Sequence, residues 1–179
     1  MRKPLLALTV LVGVVTAAAP AYAGPTDDTI VTFSVGTANL EIFAPTSVNL
    51  GSTFAGTPIQ GQIGPVQVVD QRAALAATWV ATVSSTEFTT GSGSPEETVP
   101  PGLIEYWSGP LIASTGTGTF VPGQPTQADA VTLSTPRTAF SKTSGSGNNS
   151  ATWNPTLRVN VPGTVVAGTY TATVTHSVA

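Results

Sequence analysis

Apolar and polar side chains alternate with a period of two along much of this chain. The pattern is cleanest at 169–178: Tyr170, Ala172, Val174, His176 and Val178 fall on one face, and Thr169, Thr171, Thr173, Thr175 and Ser177 on the other. Successive side chains of a strand point to opposite sides of the sheet, so this is the signature of a strand with one buried and one solvated face. The same reading predicts strands over 30–35, 39–43, 66–69, 78–83, 130–133 and 156–161, each rich in β-branched or aromatic residues. Clusters of Gly, Pro and Ser at 91–95, 121–123 and 144–149 read as turns. With 18 Gly and 15 Pro, the chain after its N-terminus leaves only 73–77 with a helical bias, one turn at most. Many short strands punctuated by turn residues predict an all-β fold, an antiparallel β-sandwich, Ig-like or related. The stretches 78–84 and 169–175 share the order Thr, aromatic, any residue, Ala, Thr, Val, hydroxyl, which two amphipathic strands reach independently.

The N-terminus departs from this pattern. Arg2 and Lys3 precede an uncharged Leu/Val/Ala-rich run that ends at Pro20, followed by Ala21, Tyr22 and Ala23. A positive start, a short apolar run and a small-x-small site make a secretory signal peptide, 1–23, cleaved after Ala23. The run is too short for a spanning helix, which needs about 20 apolar residues. The remainder, 24–179, is of single-domain size at about 155 residues. Such a chain can bury enough surface to fold without metals or disulfides, and it contains no cysteine.

Charge narrows the partners. Charged residues make up 8% of the chain, against roughly 25% in ordinary soluble domains. Losing the two cations Arg2 and Lys3 takes the formal net charge from −3 to −5 and leaves Arg72, Arg137, Lys142 and Arg158 as the only permanent cations. Four scattered cations cannot form the basic stripe that a phosphate backbone requires, so nucleic acid is excluded as a partner.

Catalytic chemistry is as sparse. His176 is the only histidine, and it lies on the apolar face of the last predicted strand with no carboxylate near it in sequence. Triads and histidine-rich zinc sites need more than that. Asp27 with Asp28 and Glu96 with Glu97 are adjacent acids beside turn residues and read as solvated loop charges; the spacing of a calcium loop is absent. Asn148, Asn149 and Ser150 form a sequon that reads as turn chemistry. The sequence therefore predicts no enzyme activity, cofactor or metal. Of the three tryptophans, Trp79 alternates into an apolar strand face and is expected in the core. Trp107 and Trp153 end at turn residues, Gly109-Pro110 and Pro155, and are expected to be partly exposed.

Two stretches carry a resemblance. The first runs through Asp70, Gln71 and Arg72 to Trp79, Val80 and Ala81 and on to Ser84, Glu87 and Phe88. The second runs from Tyr170 through Val174 and Thr175 to His176, Ser177 and Val178. In this order they resemble the WxL domain of Gram-positive bacterial surface proteins, with an Asp-x-Arg before a Trp-x-Leu strand and a closing Tyr followed by a second Trp-x-Leu. Ala81 stands in place of the first Leu, and His176 and Val178 in place of the second Trp and Leu. The resemblance implies a secreted module held non-covalently at the cell wall, on peptidoglycan or another envelope polymer. The candidate wall- or partner-binding residues are then Trp79, Ala81, Tyr170, His176 and Val178, with Trp107 and Trp153 as exposed rings. The other reading is a structural subunit that packs with copies of itself or with neighbouring surface proteins through a strand at a sheet edge.

Overall fold

A computed structural model describes residues 29–179 of the chain. The expected signal segment, 1–23, and the acids Asp27 and Asp28 lie outside the described residues. Contacts divide the chain into two units, Met1–Ser34 and Val35–Ala179. The described part of the first, 29–34, is exposed and has no regular structure. The second unit contains every strand among the described residues.

In chain order the strands are β1 (Leu40–Phe43), β2 (Ile59–Gln62), β3 (Val66–Asp70), β4 (Trp79–Ser85), β5 (Phe88–Thr89), β6 (Thr98–Val99) and β7 (Ile104–Trp107). They continue with β8 (Leu111–Thr115), β9 (Phe120–Pro122), β10 (Val131–Thr132), β11 (Arg137–Lys142), β12 (Asn149–Trp153), β13 (Thr156–Val159) and β14 (Val174–Val178). Single 3-10 turns occur at Pro95–Glu97, Pro101–Leu103 and Gln127–Asp129. The fold is all-β, and every strand pair is antiparallel.

One layer consists of two sheets that continue each other, ordered β1-β3-β12-β8 and β10-β7-β13-β2. The pairs β2 and β3, β12 and β13, and β7 and β8 are each separated by two or three residues and keep the same lateral neighbours across the gap. Each gap holds a proline (Pro65, Pro155, Pro110), which withdraws an N–H from the ladder and ends the strand there. Gly64 turns with φ of 95°. A Cβ at this position would stand 2.6 Å from the Pro45 ring, so both the turn and the close approach demand glycine. The second layer is β14-β4-β11-β9.

The core is one cluster between the layers: Val66, Val68, Ile104, Tyr106, Ala151, Trp153, Leu157 and Val159 face Trp79, Ala81, Val83, Ala139 and Phe140. Ala139 and Phe140 are consecutive yet both buried, because a bulge in β11 between Thr138 and Phe140 breaks the alternation. The antiparallel sandwich is as expected.

Three local expectations are corrected. The 30–35 stretch forms no strand: it has no neighbour to pair with among the described residues, and Ile30, Val31 and Phe33 are 91%, 82% and 88% exposed. The 169–178 strand is regular only from Val174, because 169–173 leaves β4 and bridges to β5 at Thr89 and Thr171. Asn149 and Ser150 belong to β12 rather than to a turn, and the Asn149 amide is drawn into a buried polar network.

Candidate functional site

The two lateral sides of the sandwich end differently. On one side the edge strands β8 and β9 approach each other. On the other, β1 runs beside β14 but stops at Phe43, and below it β2 pairs only with β13 while β14 pairs only with β4 among the described residues. Two strand edges therefore face an opening, a groove of about 1130 Å³. Ile63, Val99, Leu157 and Val159 form its floor, and the 44–55 and 165–173 loops its rims. No Asp, Glu, Lys or Arg among the described residues lines it. Its inward positions are incompletely covered: Ile59 on β2 and Val174 and His176 on β14 are half-buried, while Trp79, Ala81 and Val83 on neighbouring β4 are buried. At the rim Val48, Phe54 and Val166 are 51%, 84% and 44% exposed.

A polar chain runs from the groove into the core. The Trp153 indole N–H donates to the Tyr106 hydroxyl at 3.3 Å, and the Tyr106 hydroxyl lies 3.2 Å from His176 Nε2. Each buried polar atom thus finds a partner if His176 is neutral and Nε2 accepts the tyrosyl proton. Burial enforces that state, holding the imidazole down at about 4 and the phenol well above its usual range. The His176 Nε2 is thus engaged by a buried tyrosine, and its charged form is disfavoured.

The remaining sequence-predicted residues separate into three places. Trp79 and Ala81 are in the core, as expected for Trp79. Trp153, expected to be partly exposed, is 0% exposed because it alternates inward on β12 and stacks on Phe140 at 4.9 Å. Tyr170 and His176 both line the groove, and the Tyr170 hydroxyl fixes its rim from 2.9 Å of the Val166 carbonyl. Val178 is half-buried on β14. Trp107 points away from the core on the outer face of β7, half-buried, opposite Thr156 of β13. The next cross-strand pair on that face is Glu105 and Arg158, 3.6 Å apart.

The Asp-x-Arg and Trp of the WxL-like stretch meet in a buried network. Asp70 accepts from Arg72 Nε at 2.9 Å, from a second guanidinium nitrogen at 3.0 Å, from the Arg72 backbone N–H at 3.1 Å and from Asn149 Nδ2 at 3.2 Å. Asn149 in turn accepts from the Trp79 indole at 2.9 Å, and Arg72 donates to the Thr78 carbonyl at 2.8 Å. The bidentate arginine, reinforced by the other donors, holds the Asp70 carboxyl below the usual carboxylate range. The network joins β3, β4 and β12. Lys142 is buried nearby and donates to the Ala77 and Ser144 carbonyls, both at 2.7 Å.

Of the expected loop acids, Glu97 is half-buried and accepts from the Ser92 and Ser94 backbone N–H groups and the Ser92 hydroxyl, closing a turn. Among the described residues no three His, Cys, Asp or Glu side chains gather to hold a metal ion, and no helix is long and apolar enough to cross a membrane.

Sequence reasoning missed Tyr106, Asn149 and the groove. Tyr106 alternates with Ile104 on a short strand, a signal that was present; Asn149 and the groove depend on pairings across 70 or more residues. Comparison with protein-family models, with curated proteins and with solved structures finds no match for this chain.

Proposed function

We propose that this chain is a secreted, non-catalytic cell-surface module that works by taking an extended, uncharged protein segment into the groove between β2 and β14. The observation that carries this reading is the pairing of two unfilled strand edges with an aliphatic, charge-free floor. Main-chain N–H and C=O groups along both edges supply hydrogen bonds to an added strand, and the floor receives its alternate side chains. An anionic envelope polymer would find no cation there, and a sugar would find few polar groups on the floor. The test is a photo-cross-linking amino acid at Val166, introduced in the exported protein on intact cells. Adducts of discrete polypeptide mass support the reading; adducts that muramidase digests to smaller species would overturn it.

A second reading, association with cell-wall polymer, is supported by the outer face of β7 and β13. Trp107 offers a partly open ring there beside Thr156, Gln62 and the Glu105–Arg158 pair, a flat polar surface with one aromatic platform. The WxL resemblance points the same way. Retention of the protein on purified peptidoglycan should then fall on Trp107→Ala with no change in melting temperature; equal retention would remove this reading.

A further inference from the structure

The groove calls for an occupant that is extended, uncharged and apolar on alternate residues. Among the described residues the chain carries one such stretch with no partner strand. Residues 30–35 read Ile-Val-Thr-Phe-Ser-Val, with no charge, and place Val31, Phe33 and Val35 on one face and Ile30, Thr32 and Ser34 on the other. The four apolar side chains are 73–91% exposed, although they are the largest hydrophobes of that stretch. Such exposure is unfavourable for a segment that stays in water and normal for one that docks. The lengths agree: six extended residues span roughly 20 Å, against roughly 17 Å for the five of β14.

Chain connectivity decides whose segment it is. Ala38 donates to the Gln71 carbonyl at 2.9 Å and Asn39 accepts from the Gln71 N–H at 3.0 Å, so the chain is fixed at the Asp70 end of β3 just before β1 begins. The groove lies toward the other end, beyond β3 at β2, and from Gln71 back to Gln62 is nine residues, on the order of 30 Å if extended. Between Val35 and the fixed Ala38 the chain has only residues 36 and 37, a reach of about 10 Å. Phe33 is five residues from Ala38, about 17 Å of extended chain, and Ile30 eight, about 27 Å, so this segment of the same chain cannot lie along β2.

We infer that the β2–β14 groove is filled by residues 30–35 of a second copy of this chain, joining copies head to tail. The inference rests on the proposed segment-accepting groove and names its occupant. A contact of this kind uses different surfaces on the two copies, so it propagates into rings or filaments.

The test uses the exported protein. Light scattering after size exclusion should show concentration-dependent species larger than a monomer. Phe33→Asp should abolish them, because a carboxylate would have to enter the apolar floor unpaired. Ala172→Trp, which fills the groove from its rim, should abolish them too, with melting temperatures of both variants showing that they fold. A synthetic 29–37 peptide should bind the Phe33→Asp protein, and the same peptide with Asp at position 33 should bind about 100-fold more weakly, the scale of a central anchor. In a mixture of light and isotope-heavy protein, a photo-cross-linker at position 33 should join light to heavy chains at groove residues. A monomer at all concentrations, no peptide binding, or cross-links confined to one chain would overturn the inference. If those failures came while Val166 still trapped polypeptide on cells, the groove would serve another protein and only the self-assembly would fall.

Discussion

Strands β4 and β14 both alternate inward and outward side chains and meet different fates. On β4, Trp79, Ala81 and Val83 are 2%, 0% and 1% exposed; on β14, which pairs beside it, Val174, His176 and Val178 remain half-buried. The alternation is equal, so it cannot be the cause. Lateral position is. β4 lies between β14 and β11 and beneath the other layer, whereas β14 is an edge whose outer side, among the described residues, is covered only where β1 runs beside it. A period of two states which side chains point inward; it does not state whether anything lies there to cover them.

The largest expected effect of breaking the buried side of this comparison is at Trp79. Replacing it by Ala empties a site enclosed by both layers and leaves the Asn149 Oδ1 without its donor, so the protein should lose roughly 3–5 kcal/mol, read from chemical denaturation. A variant that unfolds like wild type would show that β4 is not the centre of the core.

The half-buried side should answer to acid. His176 is held near 4 by burial, against about 6.5 in the unfolded chain. Its folded value lies below the unfolded one, so the neutral imidazole favours the fold. That contribution is complete above pH 6.5 and lost as pH falls through 4, in total roughly 3 kcal/mol. Protonation would also set the His176 N–H against the Tyr106 hydroxyl, which already receives the Trp153 N–H. His176→Gln should therefore show a flatter dependence of stability on pH between 6.5 and 4 than wild type. Parallel curves would mean that the imidazole is reached by water.

How much of this was legible beforehand follows the same division. The strands at 40–43, 66–70 and 79–85 and the burial of Trp79 follow from local alternation, because each of these strands meets a partner along its whole length. The 30–35 stretch alternates as well, yet among the described residues no strand stands beside it, and alternation alone cannot supply one. Trp153 was misplaced because Pro155 marks a turn in sequence but a short interruption between β12 and β13 in space. The groove was illegible for a related reason: it is made by what is absent, among the described residues, next to β2 and β14, and missing neighbours leave no mark on either strand.

Ala81 tests whether the altered WxL-like position lost a contact surface or gained a packing role. It pairs across β4 with Phe140 on one side and Val178 on the other, and Phe140 stacks on Trp153. Ala81 is fully buried in the same core cluster as both rings. Ala81→Leu should overpack the core and cost about 1–3 kcal/mol. A stabilised variant would show that the space was open and that the larger residue can be restored.

The smallest effect is also the one that joins fold to function. Val83 and Val174 are both valines on inward faces; Val83 is buried between the layers, and Val174 faces the groove. Trimming either to Ala removes two methyl groups, worth about 1.6 kcal/mol when fully buried at about 0.8 kcal/mol each. Val83→Ala should reach that value or exceed it through the cavity left behind, and Val174→Ala should cost about half as much because water already touches the side chain. Denaturation in saturating 29–37 peptide then separates the two. An added strand would complete the cover over Val174, so the cost of Val174→Ala should rise toward that of Val83→Ala, while the Val83→Ala value stays where it was. A gap that does not move would mean that the peptide binds elsewhere, and that the half-buried face of β14 is a finished surface.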